Sequence, residues 1–469
     1  MTIRSPFHRL HLLSILALGM LSLGLIPAIA DAAAVTVTTT ADEYGTGSAC
    51  SLREAIHAAN QDIAFGGCAP GSGADTISVP AGSYTLTLAQ PDAEPEDEPG
   101  EDSVAIGDLD ITSSLAITGA GRSATVIEST NKARVFDIHG AGVTATIAQV
   151  TVRGMPSPVD REYRHGVRIR PGATLVLTSS AISGSDSAIA NEGTIELTDS
   201  EAKGGSRYSV GGGIRNTGRA SVLRSTVSGS VMVDGGGIAN DGEMTLVDSS
   251  VSGSAFNGGA VLNTGVLTLQ TSTVRGTAMT GGGILNRGTA TVTNSTISHS
   301  TGVSGGGISN SGTMTVTNST ISNNKASGQG AGITNGGTLS INNSTISANT
   351  AEPGDEGDMI GGGLVNRVGT VTMSNTILAG NSAEDPATAD CAGTFTSGGY
   401  NLVGVTTGCT ITGDTTGNRA GVDPKLGPLQ DNGGPTWTHA LLAGSPALDT
   451  GNPGPAGSGG AACEATDQR

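Results

Sequence analysis

The chain has 469 residues, of which 74 are Gly and 2% are aromatic, and its net charge is −18. So few aromatics argue against an ordinary globular core, and an acidic chain with four lysines argues against nucleic-acid binding, which needs a basic face and stacking rings. Apolar residues still reach 36%, mostly Ala, Val, Ile and Leu, which suits a narrow core filled by stacking repeats.

The first 32 residues read as a secretory signal peptide. Arg4, His8 and Arg9 precede "LLSILALGMLSLGLIPAIA", and small residues follow at Ala28, Ala30 and Ala32. No Cys lies at that boundary, which argues against a bacterial lipid anchor, and no other apolar run is long enough to span a bilayer. The expected location is therefore secreted, extracellular or cell-surface, with no transmembrane segment in the mature chain. Five cysteines fit an oxidising compartment.

The next element is helical. In "CSLREAIHAAN", Ser51 serves as N-cap and Glu54 as N3 of a capping box. Leu52, Ala55, Ile56 and Ala59 fall on one face. A stacked solenoid has an open end that must be capped. The segment reads as a lid over the first coil, pinned by Cys50–Cys68. A partner-binding helix is the weaker alternative, because three turns are marginal alone.

Three polar segments follow. "PDAEPEDEPGED" (91–102) holds seven carboxylates and "EPGDEGD" (352–358) holds four. Both read as solvated loops, with a weak calcium site as the alternative; neither has EF-hand or nonapeptide spacing. "DREYRH" (160–165) is an insertion before the repeats, also read as a solvated loop, although loops on solenoids carry function more often than coils do. His139 and His299 are isolated, and no Cys/His cluster supports a metal site.

From 167 to 378 the sequence rhymes with itself, as in "GGGILNRGTATVTNSTISHS" and "GGGISNSGTMTVTNSTISNN". An apolar residue recurs at Val167, Ile189, Ile214, Ile238, Val261, Ile284, Ile308, Ile333 and Leu364, in steps of 22 to 25 residues and once 31. That length holds three short strands and three turns, one coil of a parallel β-helix; the L-x-x-L-x-L pattern of leucine-rich repeats is missing. Two positions later stands a ladder of Asn191, Asn216, Asn240, Asn263, Asn286, Asn310, Asn335 and Asn366. Asn followed closely by Gly predicts a left-handed turn and hydrogen bonds along the axis. A second polar series runs Ser180, Ser200, Ser225, Ser249, Ser272, Ser295, Ser319, Ser344 and Asn375. Two residues on comes an apolar series from Ile182 through Val227 and Ile297 to Ile377. Residues two apart share a strand face, so both series are expected to point into the coil. The "NST" triplets match a glycosylation sequon, but the repeat itself accounts for them.

The position before the ladder Ser carries Asp199, Arg224 and Asp248 on successive coils, where later coils have Asn294, Asn318 and Asn343. This places Arg224 between two carboxylates on an outer face. The primary reading is an exposed ion-pair ladder, which adds little stability. The catalytic alternative makes Arg224 the base, with Asp199 and Asp248, in an acidic subsite. Cys391 and Cys409 close a non-repeat C-terminal region, and Cys463 is left over.

"TVTTTADEYGTGSACSLREAIHAAN" resembles the CSLREA domain of secreted bacterial β-helix proteins. "GDLDITSSLAITGAGRSATVIES" is similar to the coils that follow it there. "DPKLGPLQDNGGPTWTHALLAGSPALDTGNP" resembles the choice-of-anchor Q domain. The resemblance implies a right-handed parallel β-helix that is exported and often held at the cell surface by a separate C-terminal signal, with no known reaction. It also implies that this chain stops short of the family's usual C-terminus, which would account for the odd Cys463.

The expected architecture is all-β, a right-handed single-stranded parallel β-helix with a short N-terminal capping helix. Residues 35–130 form the cap and first coils, 131–390 the repeats, and 391–469 the C-terminal region. Fold does not choose a function. The expected role is structural or adhesive, as a monomer without cofactor and without enzymatic activity, with an extracellular polysaccharide or surface protein as partner. The alternatives are an enzyme on acidic polysaccharide and a passive spacer. Scarce aromatics, which sugar subsites use as platforms, weigh against the enzyme.

Overall fold

The computed structural model describes residues 32–88, 104–130, 134–154, 165–184, 186–205, 209–352 and 361–468. The signal peptide, the 91–102 segment, most of 352–358 and all of 160–165 except His165 lie outside the described residues.

The described chain is a right-handed parallel β-helix with one α-helix. Each coil passes through a short entry strand, a middle strand and an exit strand. Ile214–Asn216, Arg219–Leu223 and Thr226–Ser230 make up one coil, and each strand pairs in parallel with its counterpart one coil on. Period-two alternation turns every second residue inward. Like then stacks on like: Ile214, Ile238, Val261, Ile284, Ile308, Ile333 and Leu364 form one continuous buried row of the entry sheet. Val227, Val251, Val274, Ile297, Ile321 and Ile346 do the same under the exit sheet. A bore this narrow takes aliphatic side chains at nearly every level, which is why the composition is poor in rings.

The Asn ladder is hydrogen-bonded along the axis. Each amide donates to the next Asn Oδ1, at 2.6 Å from Asn191 to Asn216 and 2.7 Å from Asn216 to Asn240, continuing to Asn366. Its backbone differs from the expectation. These Asn residues end the entry strands and are not left-handed. The glycine after them is required by close approach instead: a Cβ on Gly242 would meet the Gly218 carbonyl oxygen at 2.1 Å, and one on Gly265 would meet that of Gly242 at the same distance. The left-handed residues are those before the ladder Ser, with φ of 51° at Asp199, 45° at Arg224, 50° at Asp248 and 50° at Asn294. One residue turns the chain from the middle sheet into the exit sheet, and that corner needs positive φ.

The Ser ladder runs from each Ser N–H to the next Ser Oγ at 3.0–3.2 Å, from Ser180 to Ser344. The series does not close at Asn375. Ser344 donates to Thr376 Oγ1, Asn375 is the left-handed corner, and Leu378 rather than Ile377 continues the inner row. The repeat slips by one residue there, and apparent sequence alignment hides the slip.

At the N-terminal end, helix α1 (Leu52–Gln61) covers the first coils. Ser51 Oγ accepts from Glu54 N, and Glu54 Oε2 accepts from Ser51 N. Leu52, Ala55, Ile56, Ala58 and Ala59 are buried, and Cys50 is bonded to Cys68. Arg53 is fully buried too. It pairs with Asp42 at 2.7 Å and donates to the carbonyls of Val104, Gly107 and Asp108. At the other end Cys391 is bonded to Cys409 and Cys463 is free. After the Cys391–Cys409 disulfide an antiparallel hairpin, Leu426–Gln430 and Thr438–Leu441, begins a segment that folds back over the exit sheet. No helix among the described residues is long and apolar enough to cross a membrane.

Candidate functional sites

The Asp199–Arg224–Asp248 row lies on the surface at the middle-to-exit corner. Arg224 forks onto Asp199 at 2.8 and 2.9 Å. Asp248 turns the other way and accepts the Thr271 hydroxyl, so the guanidinium serves one carboxylate and not two. The bond to Asp199 raises the pKa of Arg224 and holds Asp199 below its ordinary value. A guanidinium held in its charged form is poorly placed to act as a base. Arg224→Ala is therefore expected to leave the melting temperature unchanged in a calorimetric scan, because the pair is solvated; a clear drop would show that the corner depends on it.

The Asn residues that follow in this row have a different task. The C-terminal segment crosses them. Asn318 donates to the Thr466 carbonyl and Asn375 to that of Ala461, each at 2.7 Å, and Asn452 N donates to Asn375 Oδ1. Gln468 hydrogen-bonds Ser295, Thr296, Thr320 and Thr436. The row is thus covered over the later coils and open over the earlier ones.

On the exit sheet the same segment is fastened by His439. Its Nδ1 lies 2.7 Å from the Gly427 carbonyl and must donate there, so its Nε2 accepts the Ser322 hydroxyl at 2.8 Å. Burial lowers the pKa of His439 from 6.5, against a smaller upward pull from the Gly427 bond. Asp423 lines the same small cavity. The fold favours the neutral ring, so this contribution is complete above about pH 6.5 and is lost as pH falls towards the lowered value. Limited proteolysis should cut residues 426–441 faster at pH 5 than at pH 7.5, and His439→Gln should remove most of that difference; equal rates in the native chain would contradict the latch.

A third group was not evident from the sequence. Asp110 and Asp137 occupy register-matched outward positions on adjacent entry strands, with Arg168 next in line. Both are about 2% exposed or less. Carboxylate oxygens of Asp108, Asp110 and Asp137 lie within 4.8 Å of one another. Arg134 bridges Asp108 and Asp137 at 3.0 and 3.1 Å, Arg170 forks onto Asp137, and His139 Nε2 is 3.5 Å from Asp110. Three clustered carboxylates are hard-cation donors by type, but two of them already carry guanidinium groups. The signal was present as "GDLDI" and "VFDIHG"; these early coils do not rhyme, so the register that joins them was hidden.

The outer face of the exit sheet holds an open groove of about 760 Å³ lined by Ser183, Lys203, Gly204, Ser228, Ser230 and Ser252. Beyond the strand ends stands an exposed apolar ridge. Val233, Phe256, Met279 and Val303 stack through backbone hydrogen bonds of 2.9–3.0 Å, and Phe256 is 53% exposed.

The fold places the chain among right-handed parallel β-helix proteins. Residues 231–416 match the family model described as the right handed beta helix region, and the CSLREA-like segment lies outside that match. Among solved structures the chain is similar to pectate lyase Pel9A, at 13% identity over 90% of this chain and 92% of that one, with a TM-score of 0.37. It is similar to the A-module of Azotobacter vinelandii mannuronan C-5 epimerase AlgE4, at 12% identity over 79% and 92%, with a TM-score of 0.35. It is similar to the Dettilon tailspike protein, at 12% identity over 74% of this chain, with a TM-score of 0.37, and spans 62% of that protein's length. No curated protein matches the sequence.

Proposed function

We propose that the protein is an exported extracellular or cell-surface β-helix that works by binding, holding an extended glycan along its outer face through many weak contacts. One observation carries this reading. The exit sheet is an open groove in its earlier coils, and in its later coils the same face takes up an extended stretch of the chain itself, through Thr296, Thr320 and Ser322. A face that repeats at every coil offers the same contact many times, and linked weak contacts add up to useful avidity.

The Asp108–Asp110–Asp137 group favours a second reading, a carbohydrate-active enzyme. Its carboxylate oxygens lie within 4.8 Å of one another, no farther apart than the carboxyl pair, about 5 Å apart, that retaining glycosidases use. Burial and the bound guanidinium groups count against it. The test is to incubate the protein with acidic and neutral polysaccharides, with and without calcium, and to score both retention and new chain ends. Retention without cleavage supports the binding reading. New chain ends that vanish in Asp110→Asn overturn it in favour of the enzyme. Neither result leaves a passive spacer.

A further inference from the structure

The outward residues of the exit sheet form a line that the repeat pattern conceals. Successive coils place Arg153, Ser183, Lys203, Ser228, Ser252 and Arg275 in register. At about 4.8 Å per coil the line is roughly 24 Å long, with Lys203 about 10 Å from Arg153 and about 14 Å from Arg275. All three cations are exposed, and none forms a side-chain ion pair among the described residues. Between Arg153 and Arg275 the line holds no carboxylate. Glu128 precedes Arg153 and marks its N-terminal end, held there by the hydroxyls of Ser83 and Thr85.

Two of the nearby acids are paired. Glu201, two residues before Lys203, pairs with Arg122 at 2.9 Å, and Asp199 pairs with Arg224. The net charge of the whole chain is −18, but at physiological salt fields fade over about 8 Å, so acids farther away than that act weakly on the line. His299, one residue beyond the same outward line, has its pKa lowered by burial and further by the charge of Arg275.

We infer that this groove is a binding track for a linear acidic polysaccharide lying along the solenoid axis, with Arg153, Lys203 and Arg275 meeting its carboxylates or sulfates. The inference rests on the binding reading above and names its ligand class. Ser183, Ser228 and Ser252 set hydroxyls at the intervening coils, where sugar hydroxyls need partners. The exposed ridge of Val233, Phe256, Met279 and Val303 follows the exit strands from the coil of Ser228 onward and adds apolar surface beyond their ends. A nucleic acid would need aromatic platforms within the line, and there are none. The track is bounded at its far end, because the next outward positions, Ser298 and Ser322, lead under the C-terminal segment, where His439 takes Ser322.

The test is retention of the full chain on immobilised polygalacturonate, heparin, neutral dextran and single-stranded DNA, followed through a salt gradient. The expected result is retention on the two acidic polysaccharides, released by salt, and weak or none on dextran and DNA. The double variant Lys203→Glu, Arg275→Glu should lose at least tenfold in affinity with an unchanged circular dichroism spectrum. Arg287→Glu, an exposed cation off the line, should bind as the native chain does. Equal binding by the double variant overturns the track. Salt-insensitive binding to dextran, or preference for DNA, overturns the ligand class. Dextran binding leaves the broader glycan reading standing, whereas retention on no polysaccharide removes both.

Discussion

Arg53→Met is expected to destabilise the N-terminal coils by about 3–5 kcal/mol, the usual cost of breaking a buried ion pair from one side. Arg53 is 0% exposed and is among the largest fully buried side chains. Its guanidinium holds Asp42 in a fork at 2.7 and 3.2 Å and satisfies the carbonyls of Val104, Gly107 and Asp108. Those partners lie on segments before and after the helix, so one side chain ties the cap to the turn leading into the entry sheet. Asp42 keeps the amide hydrogens of Thr87 and Leu88 at 2.6 and 2.8 Å, but loses its countercharge. Hydrogen exchange should show the loss between residues 34 and 119 while the later coils keep their protection, because a solenoid's stability is built from neighbour contacts. An uncapped end exposes strand edges, so aggregation should rise as well. Uniform exchange rates in native and variant chains would refute the fastening role. Replacing Asp42 and Arg53 together by apolar residues should recover part of the loss.

The second large effect is expected in the middle of the solenoid. Asn263→Ala removes the acceptor for Asn240 at 2.7 Å and the donor to Asn286 at 2.8 Å, together with bonds to the carbonyls of Gly265 and Thr289. Each bond contributes about 1 kcal/mol net, and a buried partner left unpaired costs 1–3 kcal/mol more. A loss of about 3 kcal/mol follows, measured as a shift in the denaturant midpoint with an accompanying protease-sensitive site near residues 240–286. Asp241→Ala, which neighbours the same turn on the exposed side, should change little. A similar midpoint for the two variants would mean that the ladder fills space rather than carries strength.

The two Asn series show how far residue pattern reaches. Asn240 and Asn343 belong to two Asn series that each recur once per coil, the first followed by Asp241 and Gly242 and the second by Ser344 and Thr345. One lies inside with its amide in an axial chain, and the other turns a corner at φ 49°. Side-chain periodicity reports that a position is special; backbone conformation decides what it is special for. The slip at Asn375 has the same origin, since "SNTILAG" aligns with "NSTISAN" by eye while the strand pairing shifts by one.

The sequence by itself determined the coil, the inward rows, the capping box of Ser51 and Glu54, and the all-β parallel architecture. In-register stacking demands the same kind of residue at the same place in each coil, so the tertiary contact is written into the period. Only the tertiary structure decided the rest. The Asp108–Asp110–Asp137 group, the fastening of Arg53 and the covering of the exit sheet by residues 436–468 join segments with no sequence likeness to one another, and the line from Arg153 to Arg275 sets cations at outward positions that other coils fill with Ser. Such contacts depend on register summed over coils of unequal length, and that sum is settled only when the chain is wound.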